Sequence, residues 1–138
     1  MEPEELAAVL AMRRREENLT IALANGCFDL LHPGHIAFLQ GAAAEADILV
    51  VGINADDTVR VLKGAGRPIM GAADRARLVT ALGMVDYATI FAESTADRLI
   101  ELLRPNVHCK GTDYSSGVPE EATAHRVGVR VALVGGPK

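Results

Sequence analysis

Residues 19–35 read LTIALANGCFDLLHPGH, and their pattern indicates the fold class of the chain. Its first part, residues 19–24, is short and apolar, as in a β-strand that is buried on both faces. The strand pattern breaks at Asn25-Gly26, and Pro33-Gly34 directly precedes an Ala-rich segment, residues 35–46, that predicts a helix. We therefore predict a strand, a tight turn and a helix, the unit from which parallel sheets are built.

The same alternation of strands and helices continues on both sides of this unit. Apolar side chains among charges predict an amphipathic helix within residues 1–18, and Gly83 is predicted as a C-cap and Ser94 or Thr95 as an N-cap. We predict one α/β domain over residues 1–138, with a Rossmann-like, doubly wound, five-stranded parallel sheet that has helices on both faces. The further predicted strands cover residues 48–53, 87–91, 107–110 and 129–134, and the further predicted helices cover residues 56–62, 72–82 and 95–103.

Composition narrows the function classes. The chain has 138 residues, of which 49% are hydrophobic, so one well-formed core is expected. A net charge of −4 and an aromatic content of 4% without Trp argue against a basic surface or a base-stacking platform for nucleic acid. The two cysteines are too few for a thiolate metal cage or a disulfide framework. Because the acidic N-terminus does not resemble a signal peptide and no apolar run approaches the ~20 residues of a membrane span, we expect a cytoplasmic protein without nucleic-acid or membrane partners.

The turn after the first predicted strand carries the most specific chemistry. In open parallel sheets, ligands lie beyond the carboxyl ends of the strands, where the strand order switches. His32 and His35 flank Pro33-Gly34 at such a place, and the helix that follows presents backbone N–H groups that can hold phosphate. Two imidazoles there can donate hydrogen bonds to a phosphoryl group as negative charge builds on its oxygens. We predict that both act in catalysis, whereas His108, within a strand, and His125, within a helix, are interpreted as structural.

Polar residues near other strand ends are further candidates, each with a plainer alternative. Lys63 and Lys110 are each followed by Gly, and a lysine beside Gly suits close contact with phosphate oxygens; the alternative is a solvated surface lysine. Arg67 either clamps a phosphate or is an ordinary surface arginine. Asp29 binds Mg²⁺, orients an imidazole or caps its own turn. Asn54 either contacts the nucleotide or caps the next helix.

The remaining charged residues in this part of the chain have mostly structural interpretations. Arg75 and Arg77 lie on a predicted helix, and we expect them to form ion pairs with Asp74 or Asp86. Asp56 begins a predicted helix and either contacts the nucleotide or caps that helix.

These motifs together resemble a known family. His32-Pro33-Gly34-His35 is similar to the HxGH signature of the nucleotidyltransferase superfamily, which includes the cytidylyltransferases. Residues 25–35, NGCFDLLHPGH, resemble more closely the adenylyltransferases that act on D-glycero-β-D-manno-heptose 1-phosphate, and the resemblance covers nearly the whole chain. Further similar segments are Leu62-Lys63-Gly64, Arg67-Pro68, Arg77 with Val85-Asp86-Tyr87, and Lys110-Gly111-Thr112-Asp113-Tyr114.

The resemblance implies a Rossmann-like fold and transfer of AMP from ATP to heptose 1-phosphate. Pyrophosphate would leave, and the ADP-heptose would serve lipopolysaccharide or related glycan synthesis; Mg²⁺ as cofactor and a homodimer are also implied. Lys63 then joins His32 and His35 in catalysis, Lys63 and Arg67 hold the substrate phosphate, and Asp29 is the only candidate metal ligand. The residues expected at the nucleotide are Asn25, Gly26, Phe28, Asp29, Gly34, Asn54, Lys110, Gly111 and Asp113.

Two alternatives stay open at this point. A cytidylyltransferase that acts on glycerol phosphate or a similar alcohol phosphate would share the fold and the turn, because base choice depends on backbone contacts. The other alternative is a nucleotide-binding module without catalysis. In the resembled family, a Ser/Thr-rich turn and a helix that helps bind the triphosphate follow the fifth strand, and residues 1–138 lack both.

Overall fold

The computed structural model describes residues 1–112 and 117–135, which form six helices and five strands; the two types alternate except for two successive helices between the second and third strands. The helices are α1 (Pro3–Glu17), α2 (Pro33–Ala43), α3 (Asp56–Lys63), α4 (Ala72–Thr80), α5 (Asp97–Leu103) and α6 (Glu121–Arg126). The strands are β1 (Ile21–Gly26), β2 (Ile48–Asn54), β3 (Tyr87–Phe91), β4 (Val107–Gly111) and β5 (Arg130–Val134). The predicted Asp113 and Tyr114 of the family-like loop lie outside the described residues. Among the described residues, no helix has the length and apolar character needed to span a membrane.

The five strands form one parallel sheet in the order β3-β2-β1-β4-β5. The chain moves outward from β1 through β2 to β3, then returns to place β4 on the other side of β1. This order confirms the predicted doubly wound sheet. Because all strands run the same way, their carboxyl ends share one edge, and the strand order switches between β1 and β4.

Alternation along β1 divides the core between the two faces of the sheet. Ile21 and Leu23 belong to one buried cluster, whereas Ala22 and Ala24 belong to the other. Successive side chains of a strand point to opposite faces, so a strand that is apolar at every position needs a covering layer on each side. The first layer includes Leu6, Leu10, Leu99, Ile100 and Leu103 of α1 and α5, and the second includes Leu39, Ala42 and Val79 of α2 and α4.

The boundaries of the central βα unit differ from the prediction at both ends of the turn. Strand β1 continues through Asn25 and Gly26, because these residues pair with Gly52 and Ile53 of β2. Helix α2 begins at Pro33, before His35. Both differences bring the strand end and the helix start closer together and make the turn more compact than predicted.

The predicted helix caps were wrong. The C-cap of α4 is Ala81, in a right-handed conformation, and Gly83 lies beyond it; the chain leaves this helix through a further turn, so it needs no left-handed glycine. The N-cap of α5 is Ala96, which makes no side-chain capping bond. The Thr95 hydroxyl donates to the carboxylate of Asp97.

Candidate active site

An open cleft of about 870 Å³ lies at the carboxyl edge of the sheet. The loops after β1 and β2 and the end of β4 contribute to its lining, as the switch of strand order predicts. The cleft brings together every predicted site residue that the structure describes. These residues are Asn25, Gly26, Phe28, Asp29, His32, Gly34, His35, Asn54, Lys63, Arg67, Lys110 and Gly111.

The histidine turn fixes the ring protons of both imidazoles. His32 is the N-cap of α2, and its Nδ1 accepts from the backbone N–H of Gly34 at 3.1 Å. His35 Nδ1 accepts in turn from the backbone N–H of His32 at 3.2 Å, which completes a reciprocal capping box. A neutral imidazole whose Nδ1 accepts must carry its proton on Nε2. Each ring therefore has an Nε2–H donor, and the two rings stack with centroids 3.9 Å apart.

The turn is held by close packing around a left-handed backbone. Phe28 has φ of 52° and Leu30 has φ of 57°, values that L-residues rarely adopt. The Phe28 ring lies 5.6 Å from the His35 ring, between centroids, and packs beneath the turn. A Cβ at Gly34 would come within 2.8 Å of His32 Cε1, so only glycine allows the capping imidazole to lie over this position.

Asp29 anchors a second loop against the turn. Its carboxylate accepts from Arg67 Nε at 2.9 Å and from the backbone N–H groups of Ile69 and Met70 at 2.8 and 3.1 Å. Burial alone would raise the pKa of Asp29, but these hydrogen bonds together hold the pKa below its ordinary value. Of the alternatives considered, orienting an imidazole and capping its own turn do not apply, since the carboxylate holds residues 67–70.

The described residues contain no group of three or more His, Cys, Asp or Glu side chains that could hold a metal ion. The Asp29 oxygens already accept three hydrogen bonds. A dedicated protein cage for Mg²⁺ therefore does not fit this part of the chain. Mg²⁺ prefers phosphate oxygens and water with few protein ligands, so a role as counter-ion of a bound triphosphate stays a prediction.

Arg75 is the residue that sequence interpretation missed. Its side chain is fully buried, and its guanidinium donates to the backbone carbonyls of Met70, Cys27 and Asn54 at 2.7–2.9 Å. Its carboxylate partner is Asp56, at 2.7 Å, so the expected pairing with Asp74 or Asp86 was wrong. Arg75 ties three segments around the cleft together. No sequence pattern predicts that Arg75 connects these segments, because most of its partners are backbone carbonyls.

Asn54 lines the cleft, whereas Asp56 acts through its ion pair with Arg75. The N-cap of α3 is Ala55 and makes no side-chain capping bond, so neither side chain acts as the N-cap of that helix. Asn54 is buried, and its Nδ2 donates to the Glu93 carbonyl at 3.4 Å. Nucleotide contact by Asn54 stays a prediction.

The predicted cations lie at different depths. Lys63 is exposed at the end of α3, followed by Gly64 with φ of 98°, whereas Lys110 is buried within β4 at the cleft. Arg67 is not an ordinary surface arginine, because its Nε is bound by Asp29 while the residue lines the cleft. The three positive side chains therefore surround one cavity, which is the distribution that a polyphosphate needs.

His108, interpreted as structural, extends the site inward. It is fully buried on β4, and its Nε2 lies 2.7 Å from Asn25 Oδ1 at the end of β1. Burial lowers the pKa of His108 to about 4, partly offset by the nearby Glu120 carboxylate. Glu120 is also buried, and its Oε2 accepts from the backbone N–H of Ala96 at 2.8 Å. Sequence alone gave no signal for either contact, since each joins residues far apart along the chain.

This arrangement, a histidine capping box with lysines around a cleft at the switch point of a parallel sheet, agrees with a family comparison. Residues 23–136 match the cytidylyltransferase-like family. The chain belongs to this family. The match confirms the predicted nucleotidyltransferase resemblance, and the histidine turn and the described lysines all lie within the matched residues.

Named relatives of this cytidylyltransferase-like chain share substantial identity. It is 46% identical over 131 residues to bifunctional protein HldE of Geotalea uraniireducens. This alignment covers 92% of the present chain and 26% of that relative. It is 54% identical over 101 residues to bifunctional protein HldE of Nitrobacter hamburgensis. This alignment covers 73% of the present chain and 21% of that relative. The chain thus spans about a quarter of the length of the curated relatives it matches.

Solved structures share the same architecture. A lipopolysaccharide core biosynthesis protein from Thermoplasma volcanium superposes with a TM-score of 0.71 at 26% identity, covering 84% of this chain and 96% of that one. Pantothenate synthetase from Thermus thermophilus gives a TM-score of 0.68 at 17% identity, covering 97% of this chain and 60% of that one, and shows the fold alone. The predicted Rossmann-like fold is therefore confirmed.

Proposed function

We propose that this domain is an adenylyltransferase that transfers AMP from ATP to heptose 1-phosphate and releases pyrophosphate. The observation that carries the proposal is the histidine turn, which fixes two Nε2–H donors at the edge of a cleft that also holds Lys63, Lys110 and Arg67. Fixed donors and cations around one cleft suit transfer of a nucleotidyl group.

The chemistry is an in-line displacement at the α-phosphorus of ATP. A phosphate oxygen of the acceptor forms the new P–O bond while the bond from the α-phosphorus to the bridging oxygen of pyrophosphate breaks. The acceptor phosphate is already ionised, so the reaction needs no general base. This matches the turn, in which both Nδ1 lone pairs are used by backbone N–H groups.

The chain's own residues act by positioning and by neutralising charge. The Nε2–H groups of His32 and His35 donate to the α-phosphoryl oxygens as negative charge builds on them. Lys63 and Arg67 hold the acceptor phosphate, and Lys110 lies toward the nucleotide. When bound, Mg²⁺ supplies charge neutralisation on the triphosphate oxygens.

The choice of acceptor is supported by likeness. Residues 25–35 resemble heptose 1-phosphate adenylyltransferases, and a lipopolysaccharide core biosynthesis protein of solved structure is 26% identical to this chain. Membership of the cytidylyltransferase-like family favours a second candidate, transfer of CMP from CTP to an alcohol phosphate such as glycerol phosphate. The two candidates share the site and differ in the base and in the acceptor.

Pyrophosphate release tests the proposal. The chain is incubated with Mg²⁺, with ATP or CTP, and with heptose 1-phosphate or glycerol phosphate. We expect release with ATP and heptose 1-phosphate at least tenfold faster than with any other pair. Faster release with CTP would favour the second candidate. No release from any pair, by a chain that still binds nucleotide, would overturn transferase activity and leave a nucleotide-binding module.

A further inference from the structure

A buried histidine lies behind the lining of the cleft, and no step of the proposed reaction uses it. His108 lies on β4 next to β1, and neither its ring nor its backbone is exposed. The ring makes one polar contact among the described residues, from Nε2 to Asn25 Oδ1 at 2.7 Å. Its Nδ1 is buried without a hydrogen-bond partner in this part of the chain. Asn25 lines the same cleft as His32 and His35.

The unpaired Nδ1 decides which nitrogen carries the proton. A proton on Nδ1 would leave a buried N–H donor unpaired, and orphaned N–H groups are rarer in proteins than under-satisfied acceptors. A proton on Nε2 instead completes a hydrogen bond to the Asn25 carbonyl oxygen and leaves only a lone pair without a partner. The charged groups that face the ring are Glu120, Lys110 and Asp97, and burial keeps the imidazole neutral among them. His108 is therefore an Nε2–H donor to Asn25.

This donor fixes the direction of the Asn25 amide. With Oδ1 held by His108, the Nδ2 amino group is the end of Asn25 that is available to the cleft. An amide N–H group at the carboxyl edge of β1, beside the histidine turn and Lys110, has the right sign to meet an anionic ligand.

We propose that His108 is a positioning residue, which holds Asn25 so that its Nδ2–H donates to a phosphate oxygen of the bound nucleotide. The inference rests on the proposed nucleotide-binding function and deepens it. The inference predicts that the buried His108 ring, which does not itself contact the ligand, affects the affinity for the nucleotide.

Matched substitutions separate positioning from packing. In His108→Gln, the side-chain amide nitrogen can replace Nε2–H and keep the bond to Asn25. His108→Leu removes the donor at similar volume, and His108→Asn is too short to place a donor at the Nε2 position. The exposed His125 on α6 provides a control, His125→Leu, for loss of an imidazole far from the cleft.

The measurement is the dissociation constant of ATP with Mg²⁺, by calorimetry on the 138-residue chain. We expect His108→Leu and His108→Asn to weaken ATP binding about tenfold, and His108→Gln to stay within about threefold of the wild type. His108→Leu should melt no lower than wild type, because leucine removes a buried nitrogen that lacks a partner. An affinity loss without a stability loss is not what a packing role predicts.

A double-mutant cycle tests whether the effect passes through Asn25. In an Asn25→Ala background, His108→Leu should change the ATP dissociation constant by less than about twofold. Wild-type affinity in His108→Leu, an equal loss in the Asn25→Ala background, or no rescue by His108→Gln would each overturn the inference. Absence of pyrophosphate release with heptose 1-phosphate would refute the proposed reaction alone, since the cycle needs only ATP binding. A wild-type chain that binds no ATP would overturn both.

Discussion

Two regions at the cleft are held by different kinds of contact. The rim consists of His32, His35 and Lys63. The floor consists of Asp29, which lines the cleft, and of Arg75 and His108, which are buried behind the lining. His32 and Lys63 of the rim are exposed and His35 is half-buried, and the two imidazoles are fixed by local backbone N–H groups of their own turn. The floor residues are at most 8% exposed, and their partners come from distant segments of the chain. Groups that meet a ligand need access, whereas groups that place them need burial. The comparison predicts that rim substitutions remove activity and floor substitutions remove stability or position.

Loss of the buried guanidinium is expected to have the largest effect. Arg75→Met leaves the carbonyls of Met70, Cys27 and Asn54 without their donor, and it leaves Asp56 without its partner. We expect the free energy of unfolding to fall by about 3–5 kcal/mol, measured by urea denaturation.

The exposed Arg77 on the same helix supplies the matched control, and Arg77→Met should change stability by less than about 0.5 kcal/mol. An unchanged urea midpoint for Arg75→Met would show that the three segments hold together without it.

A rim substitution should lower activity and leave stability nearly unchanged. In His35→Asn, the side-chain oxygen can still accept from the His32 backbone N–H, but the Nε2–H donor is lost. We expect turnover in the pyrophosphate assay to fall by about 10²–10³-fold, the usual cost of one transition-state donor, while the melting temperature stays close to wild type.

His125→Asn, on the exposed surface of α6, should leave turnover unchanged. If His35→Asn kept near-normal turnover, the rim would have a capping role only.

The sequence predicted the rim better than the floor for a physical reason. His32 and His35 could be recognised in the sequence, because two imidazoles at a strand-to-helix turn have few structural explanations. The parallel sheet could be predicted because short apolar runs alternate along the chain with segments of helical periodicity. Arg75 gave no such signal, because it lies on an ordinary amphipathic helix and its partners are mainly backbone carbonyls. His108 was assigned to its strand, but its contact with Asn25 depends on strand order, which the sequence does not encode locally.

The pH dependence of stability distinguishes the buried histidine from the rim. In the unfolded chain His108 has its ordinary pKa of 6.5, whereas burial lowers the pKa of the folded residue to about 4. The unfolded chain therefore binds more protons between these values, so this contribution to stability is complete above 6.5 and is lost as the pH falls toward 4. His108→Leu lacks this group, so its melting temperature should rise further above that of the wild type as the pH falls through this window. Parallel curves would contradict the buried, neutral state of the ring.

The smallest effect is expected at the anchored loop. Asp29→Asn weakens the hydrogen bonds to Arg67, Ile69 and Met70 but keeps one acceptor oxygen. We expect amide hydrogen exchange at Ile69 and Met70 to become about tenfold faster, with little change in global stability.

Asp57→Asn, at a carboxylate whose side chain is 93% exposed in its ion pair with Arg60, is the matched control and should leave these amides unchanged. Unaltered exchange in Asp29→Asn would mean that the loop is held by other contacts.

The strand order also sets the sequence in which a growing chain completes its cleft. The three strands β1, β2 and β3 emerge first and can pair with one another, whereas β4 joins β1 only after synthesis has passed residue 111. A nascent chain therefore displays the rim histidines on an open sheet edge before Lys110 and His108 arrive. A nucleotide that bridges rim and floor would stabilise the finished sheet but not its first half, so ligand present during synthesis should act only on the last step of folding.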